Sequence, residues 1–180
     1  MQVRKIASAV AVVCAVAAQV AESPSANAAS KVSFTGSCSL RGTDAFEPPL
    51  TLASATGSAT AAATGTCSGV LNGPSGPRPL HDATSTYSAH AVSNALSCIG
   101  GVGRGTGTLT IAGVAFTFDL LEPQIAIVSV LKLDGTAGGS SLGIASVVDA
   151  DPSALIGDCL DGGIKVVPIS LALVTLGLAA

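Results

Sequence analysis

The fold is decided by residues 104–133, which read RGTGTLTIAGVAFTFDLLEPQIAIVSVLKL. Within this stretch, residues 106–111 and 114–120 alternate between two faces and are rich in Thr, Val, Ile and Phe. A period of two with this composition is typical of β-strands. Ala112-Gly113 lies between the two runs and predicts a tight turn, because Gly adopts positive φ without steric cost. We therefore predict a hairpin with one apolar face.

The chain on either side of Glu122-Pro123 is expected to behave differently. Since Pro has no N–H to donate to a sheet, this pair predicts the end of the second strand. Residues 125–133 then carry apolar side chains at nearly every position. A strand that is apolar on both faces is usually covered on both faces, so we interpret this one as central.

Further strands are predicted from the same pattern along the rest of the chain. They occupy residues 31–40, 50–68, two short segments within 81–99, 142–148 and one or two closing segments within 164–180. Residues 41–49 and 69–79, rich in charge, Pro and Gly, are expected to be loops, and residues 134–141 a turn. The face of 50–68 that is built from Ala and Gly would let a bulky ring such as Phe116 or Phe118 approach closely.

A single helix signal stands near the C-terminus, over residues 152–157. Asp151 is suited to cap the helix, Pro152 to begin it and Gly157 to end it. The predicted fold class is therefore all-β: a single antiparallel β-sandwich or closed β-barrel of about eight to ten strands with one short helix.

The N-terminal residues have the pattern of a secretory signal peptide. Arg4 and Lys5 precede an apolar run over residues 6–20, and Ala26-Asn27-Ala28 forms a small-x-small cleavage site. We predict cleavage after Ala28, a secreted β domain over residues 29–180, and a location outside the cell or at its envelope. A lipoprotein signal at Cys14 is the alternative, but Val13 stands before it where a small residue is expected.

Composition excludes some partners. Charged residues make up 11% of the chain, the net charge is −3, and there is no run of Lys or Arg, so the electrostatic pattern of a nucleic-acid partner is missing. The apolar residues 164–180 are shorter than the roughly 20 residues that a membrane helix needs. We interpret them as closing strands and not as a membrane anchor.

The cysteines indicate two disulfides. Beyond the signal peptide the chain retains Cys38, Cys67, Cys98 and Cys159, and an even number in an exported protein favours disulfide bonding. No Cys-x-x-Cys or Cys/His spacing supports a metal site instead. Of the three possible pairings, we favour Cys38–Cys67 with Cys98–Cys159, because the first two cysteines lie in neighbouring predicted strands.

Three groups of polar residues are candidate sites. Residues 139–143, GSSLG, match the Gly-x-Ser-x-Gly pattern of serine hydrolases, but a strand pattern follows Ser141 and both histidines precede it, so we assign Ser141 to a turn without catalytic function. A polar cluster of His81, Asp82, Ser85 and His90 is interpreted as surface. Four carboxylates could bind Ca²⁺, although capping and turn formation account for two of them: Asp149, Asp151, Asp158 and Asp161. No catalytic residue, metal or cofactor is predicted.

The segments GTCSG (residues 65–69) and GRGTGTLT (residues 103–110) resemble those of small secreted Ala/Gly/Thr-rich β-proteins of unknown function from actinobacteria. A looser resemblance exists to neocarzinostatin-type carriers, exported sandwiches with two disulfides that bind an apolar chromophore, although their Cys pairs are closer in sequence. We therefore expect a non-catalytic secreted protein with a binding or structural role. The alternatives are a carrier of a small apolar ligand, with Phe116 and Phe118 as its contacts, and a secreted hydrolase that uses Ser141.

Overall fold

The computed structural model describes residues 31–125 and 127–180, so the predicted signal peptide, residues 1–28, lies outside the described residues. Eight antiparallel strands follow one another around a closed barrel, and the last strand pairs with the first. They are β1 (Ser33–Leu50), β2 (Ala55–Gly73), β3 (Gly76–Leu96), β4 (Gly100–Ile111), β5 (Val114–Ile125), β6 (Val128–Gly135), β7 (Ser140–Val147) and β8 (Ile164–Ala179). A helix, α1 (Pro152–Asp161), connects β7 to β8. The all-β prediction is confirmed, and the architecture is the barrel.

The hairpin predicted around Ala112-Gly113 is confirmed. Ile111 pairs with Val114, and Ala112 and Gly113 both have positive φ, 49° and 84°, as a two-residue turn with the twist of its strands requires. The predicted break at Glu122-Pro123 is wrong, since β5 continues to Ile125. Pro123 is tolerated because neither it nor Glu122 has a partner on β6, so its missing N–H falls where that ladder is already interrupted.

Both predicted loops are also wrong. Residues 41–49 are the second half of β1, which pairs with β2 on one side and β8 on the other. Barrel closure supplies hydrogen-bond partners on both sides, and this outweighs the local preference of a charged, Pro-containing segment for a loop. Residues 69–79 belong mostly to the β2–β3 hairpin. Pro77 and Pro79 lie in the part of β3 that pairs with β2 alone, where a missing N–H disrupts no second ladder.

Strand β6 is not covered on both faces as expected. Its side chains alternate strictly, with Leu131 and Leu133 buried, while Val128 and Val130 are 38% and 49% exposed. Each strand of a closed barrel has one face toward the interior and one toward the outside. The apolar side chains on both faces therefore reflect an apolar outer wall and not a second covering layer. The two short strands predicted within 81–99 are likewise one strand, β3.

The interior is filled by large apolar side chains packed against glycine. The largest buried side chains are Phe34, Phe116, Phe118, Leu40, Leu109, Ile111, Leu133, Leu171, Leu173 and Leu178. The glycines of β4 are closely packed: a Cβ added at Gly107 would lie 2.5 Å from Cζ of Phe118. On β2 the ring that approaches a glycine is Phe34, which faces Gly69, and not Phe116 or Phe118.

The helix begins as predicted and ends later. The Asp151 carboxylate accepts a hydrogen bond of 2.8 Å from the backbone N–H of Ser153, and Pro152 occupies the first turn. Gly157 does not end the helix, which continues to Asp161 and is capped by Gly162. An interior glycine destabilises a helix by only about 1 kcal/mol, and the last turn is held by Cys159, the buried residue of α1.

Candidate functional site

Both predicted disulfides are confirmed. Cys38 and Cys67 are directly paired on β1 and β2, with a Cα–Cα distance of 4.0 Å. Cys98, just after β3, is bonded to Cys159 of α1, with a Cα–Cα distance of 6.2 Å. The first bond therefore joins two neighbouring strands, whereas the second attaches the helix to one end of the barrel.

A cavity of about 450 Å³ lies between α1 and this end of the barrel. Its lining comes from the ends of β1 and β7, the start of β8, the turns after β3 and β5, and the helix. The lining residues are Phe46, Leu50, Leu52, Cys98, Ile99, Gln124, Ile127, Val147, Pro152, Leu155, Ile156, Cys159, Leu160, Ile164 and Val167. We name this cavity the end pocket. Its volume falls within the range of roughly 300–1,000 Å³ that is usual for small-molecule sites, and its lining is apolar as such sites require.

A second, much smaller cavity of about 20 Å³ lies beneath the end pocket, deeper in the barrel. The two cavities share five lining residues: Phe46, Gln124, Ile127, Val147 and Val167. The smaller one is also lined by Asp44 and Ser129, which are both buried. Asp44 is only 8% exposed, and its Oδ1 atom has no hydrogen-bond partner. The apolar pocket therefore has a polar floor that contains an unsatisfied acceptor.

Two acids, the buried Asp44 on this floor and the half-buried Glu122 close to it, influence each other without a base beside them. Burial, reinforced by the nearby charge of Glu122, raises the pKa of Asp44 to about 7. Burial also raises the pKa of Glu122, against the opposing effect of a hydrogen bond to the Ser129 side chain. The pKa of Tyr87 is raised by burial and then by both carboxylates. All basic side chains of the described residues are exposed, so none of them neutralises the two carboxyl groups.

Phe116 and Phe118, the predicted ligand contacts, are fully buried in the packed core. Tyr87 stacks on Phe118 with 5.7 Å between ring centroids. Neither phenylalanine lines the end pocket or the cavity beneath it, so the structure offers a different candidate site. The aromatic ring at that site is Phe46.

Ser141 lies in β7 and not in a turn. Its side chain faces the interior, and its hydroxyl donates a hydrogen bond of 3.0 Å to the backbone carbonyl of Val174. His81 and His90 are exposed on β3, which lies four strands from β7 in either direction around the barrel. The structure therefore does not bring a histidine to this serine.

The cluster of residues 81–90 does not converge on one point either. His90 shares a hydrogen bond of 3.1 Å with Thr60 on the outer surface, while the buried Ser85 hydroxyl donates to the carbonyl of Ala83. The backbone N–H of the exposed Asp82 donates a hydrogen bond of 2.9 Å to the Ser68 hydroxyl. The bonds of His90 and Asp82 join β3 to β2, and the Ser85 bond lies within β3.

The four carboxylates near α1 have separate surroundings. Asp149 forms an exposed ion pair of 3.4 Å with Arg41, and Asp151 caps the helix, where hydrogen bonds from Ser153 lower its pKa. Across residues 31–125 and 127–180, no group of three or more His, Cys, Asp or Glu side chains is arranged to hold a metal ion. Within the same ranges, no helix has the length and apolar character that crossing a bilayer requires.

Sequence reasoning missed Asp44, Phe46 and Glu122, because it assigned the first two to a loop and the third to a strand break. The sequence does carry a signal for Asp44 and Phe46, namely the alternation of β1. The inward positions of β1 continue at every second residue from Phe34 through Leu40 to Asp44 and Phe46. Nothing comparable marks Glu122, whose surroundings depend on strands that are distant in sequence.

The fold and the cavity define the chain as a closed eight-stranded barrel with a helix-covered apolar pocket at one end. No protein family, curated protein or solved structure matches the chain. The resemblance to secreted actinobacterial proteins stays a prediction.

Proposed function

We propose that this protein is a non-catalytic carrier that binds a small apolar ligand in the end pocket and acts outside the cytoplasm. The observation that carries the proposal is the cavity of about 450 Å³ with an almost wholly apolar lining. A ligand that fills it removes apolar surface from water, on both partners, at roughly 25 cal/mol per Å².

The covering helix supports a binding role. Ile156 and Leu160 of α1 line the pocket and are each 63% exposed, although large apolar side chains favour burial. The same helix is attached to the barrel by the Cys98–Cys159 disulfide, so one wall of the pocket is held in place before any ligand arrives. Such preorganisation favours affinity, because less conformational freedom is lost on binding.

Two further features support a non-catalytic protein outside the cytoplasm. The Ser141 hydroxyl is buried and donates its hydrogen bond to the backbone, and neither histidine lies near it to act as the base that a nucleophilic serine needs. Two disulfides persist most readily in an oxidising compartment, and this agrees with export by the predicted signal peptide.

The test is a titration of the full chain with N-phenylnaphthylamine, an uncharged apolar dye whose fluorescence rises in apolar surroundings. We expect saturable binding of one dye per chain. Leu160→Gln should weaken binding, because it places an amide in the pocket wall. Leu176→Gln is the matched control: Leu176 is 62% exposed against 63% for Leu160, but it does not line the pocket. Absence of saturable binding, or equal weakening by both variants, would contradict the proposal.

A further inference from the structure

We propose, building on the carrier function, that Asp44 forms the polar end of the binding site, with the charge of Glu122 nearby, and that the ligand is an amphiphile whose apolar body bears a protonated amine. The apolar body would fill the end pocket, and the ammonium group would occupy the small cavity beside it, against the Asp44 carboxyl group.

The first support is that the two cavities are adjacent. Five residues line both of them, so a group attached to a ligand in the end pocket lies next to the floor that contains Asp44. The lower cavity, at about 20 Å³, has room for one group of the size of a water molecule, since about 10–15 Å³ is the minimum for that. An ammonium group is of this size, whereas a bulkier head group is not.

The second support is an acceptor without a donor. The Asp44 side chain is 8% exposed, lines the lower cavity, and has an Oδ1 atom that no hydrogen bond satisfies. Buried polar atoms in proteins are almost always paired with a protein group, water or ligand. An alkylammonium brings three N–H donors, which can satisfy this oxygen and still reach a neighbouring acceptor.

The third support is charge. Asp44 and Glu122 interact with each other, and the basic side chains of the described residues all lie on the outside of the barrel. A cation that enters the floor would supply the missing opposite charge, and its hydrogen bonds to a carboxylate would be strengthened by the ionic character of both partners. A carboxylate head group would instead be repelled, and a hydroxyl would donate one bond without neutralising either acid.

Asp44 on β1 is the titratable group that lines the lower cavity. Glu122 on β5 is hydrogen-bonded to Ser129, which also lines it, and Tyr87 on β3 interacts with both acids through their charge. At low pH the carboxyl groups are protonated and offer little attraction to a cation. Because the pKa of Asp44 is raised to about 7, amine affinity should increase as the pH rises from about 5 to about 8, while the amine itself stays protonated.

The experiment compares octylamine, octanol and octanoate as competitors of N-phenylnaphthylamine on the full chain at about pH 8. These compounds share an alkyl chain and differ in the head group alone. We expect octylamine to bind about tenfold or more tightly than octanol, and octanoate to bind most weakly. In Asp44→Asn the ratio of amine to alcohol affinity should fall close to one and lose its pH dependence.

Two further variants keep the result interpretable. Glu122→Gln should reduce the same ratio, which protects the test against a folding defect in the first variant. Asp119→Asn, at an exposed carboxylate on the outer face of β5, is the control and should keep the ratio of the unmodified chain.

The outcomes separate this inference from the proposed function. If the dye and octanol bind but octylamine binds no more tightly than octanol, the cationic ligand is overturned and the carrier function stays in place. A water molecule would then satisfy Asp44. A preference for the amine that survives both Asp44→Asn and Glu122→Gln would also overturn it. A dye that does not bind at all would overturn both proposals.

Discussion

Removing the disulfide between Cys98 and Cys159 should affect both stability and ligand binding. In the double variant Cys98→Ala/Cys159→Ala, the cross-link closing 61 residues is lost. Loop-closure entropy over that length corresponds to about 4 kcal/mol of unfolding free energy. For a domain of this size each kcal/mol shifts the melting temperature by about 2–4 °C, so the expected decrease is about 8–16 °C.

The second disulfide provides a matched control. Cys38→Ala/Cys67→Ala opens a loop of 29 residues, which corresponds to about 3.5 kcal/mol and a similar decrease in melting temperature. The two variants should nevertheless differ in binding. Cys159 is the buried residue of α1, so the helix loses its attachment in the first variant alone, and with it one wall of the end pocket.

The assay combines thermal unfolding, followed by circular dichroism, with titration of N-phenylnaphthylamine well below the melting temperature. We expect comparable melting temperatures and a loss of dye affinity confined to Cys98→Ala/Cys159→Ala. Equal dye affinity in the two variants would refute the reasoning, because packing alone would then hold the helix over the barrel. Full reduction of both bonds in the unmodified chain should lower the melting temperature by about 15–30 °C, from the sum of the two effects.

Three other predictions concern the barrel itself. Gly107→Ala should reduce the free energy of unfolding, measured in urea, by about 1–3 kcal/mol, because the new Cβ would lie 2.5 Å from the Phe118 ring. Gly157→Ala in α1, where the space around the Cβ is open, should increase it by up to about 1 kcal/mol. Asp44 has a folded-state pKa of about 7 against 3.8 for the free side chain. The unfolding free energy should therefore fall by up to about 4 kcal/mol as the pH rises from about 4 to about 7. Urea unfolding of Asp44→Asn should lack this decrease. Ser141→Ala should lower stability by about 1 kcal/mol, from the loss of one buried hydrogen bond, with dye affinity unchanged; a loss of dye affinity would show that Ser141 acts in the site.

Local patterns identified the elements whose residues alternate clearly. The hairpin around Ala112-Gly113 and the start of α1 at Asp151 were both evident in the sequence, because turn chemistry, helix capping and a period of two depend on neighbouring residues. The pairing of Cys98 with Cys159 also followed from the sequence, but by elimination, once Cys38 and Cys67 were paired as members of neighbouring predicted strands.

The errors share one physical cause. Residues 41–49 and 69–79, and the segment across Pro123, contain charges or prolines that favour loops locally, yet each lies in a strand whose partners come from elsewhere in the chain. Closure of the barrel gives those strands hydrogen-bond partners that outweigh the local preference. The opposite error concerns β6. Val128 and Val130 predicted a covering layer on its second face, but they lie on the outer wall of the barrel.

By itself, the sequence determined an all-β domain with two disulfides and a short helix that Asp151 caps. The tertiary structure alone decided that the sheet closes into a barrel, that the helix covers one end of it, and that the buried Asp44 lies next to an apolar pocket. The physical reason is distance along the chain. Strand periodicity and capping are set within a few residues, but a cavity and the charge on its floor depend on side chains from β1, β5 and α1, which only the closed sheet brings together.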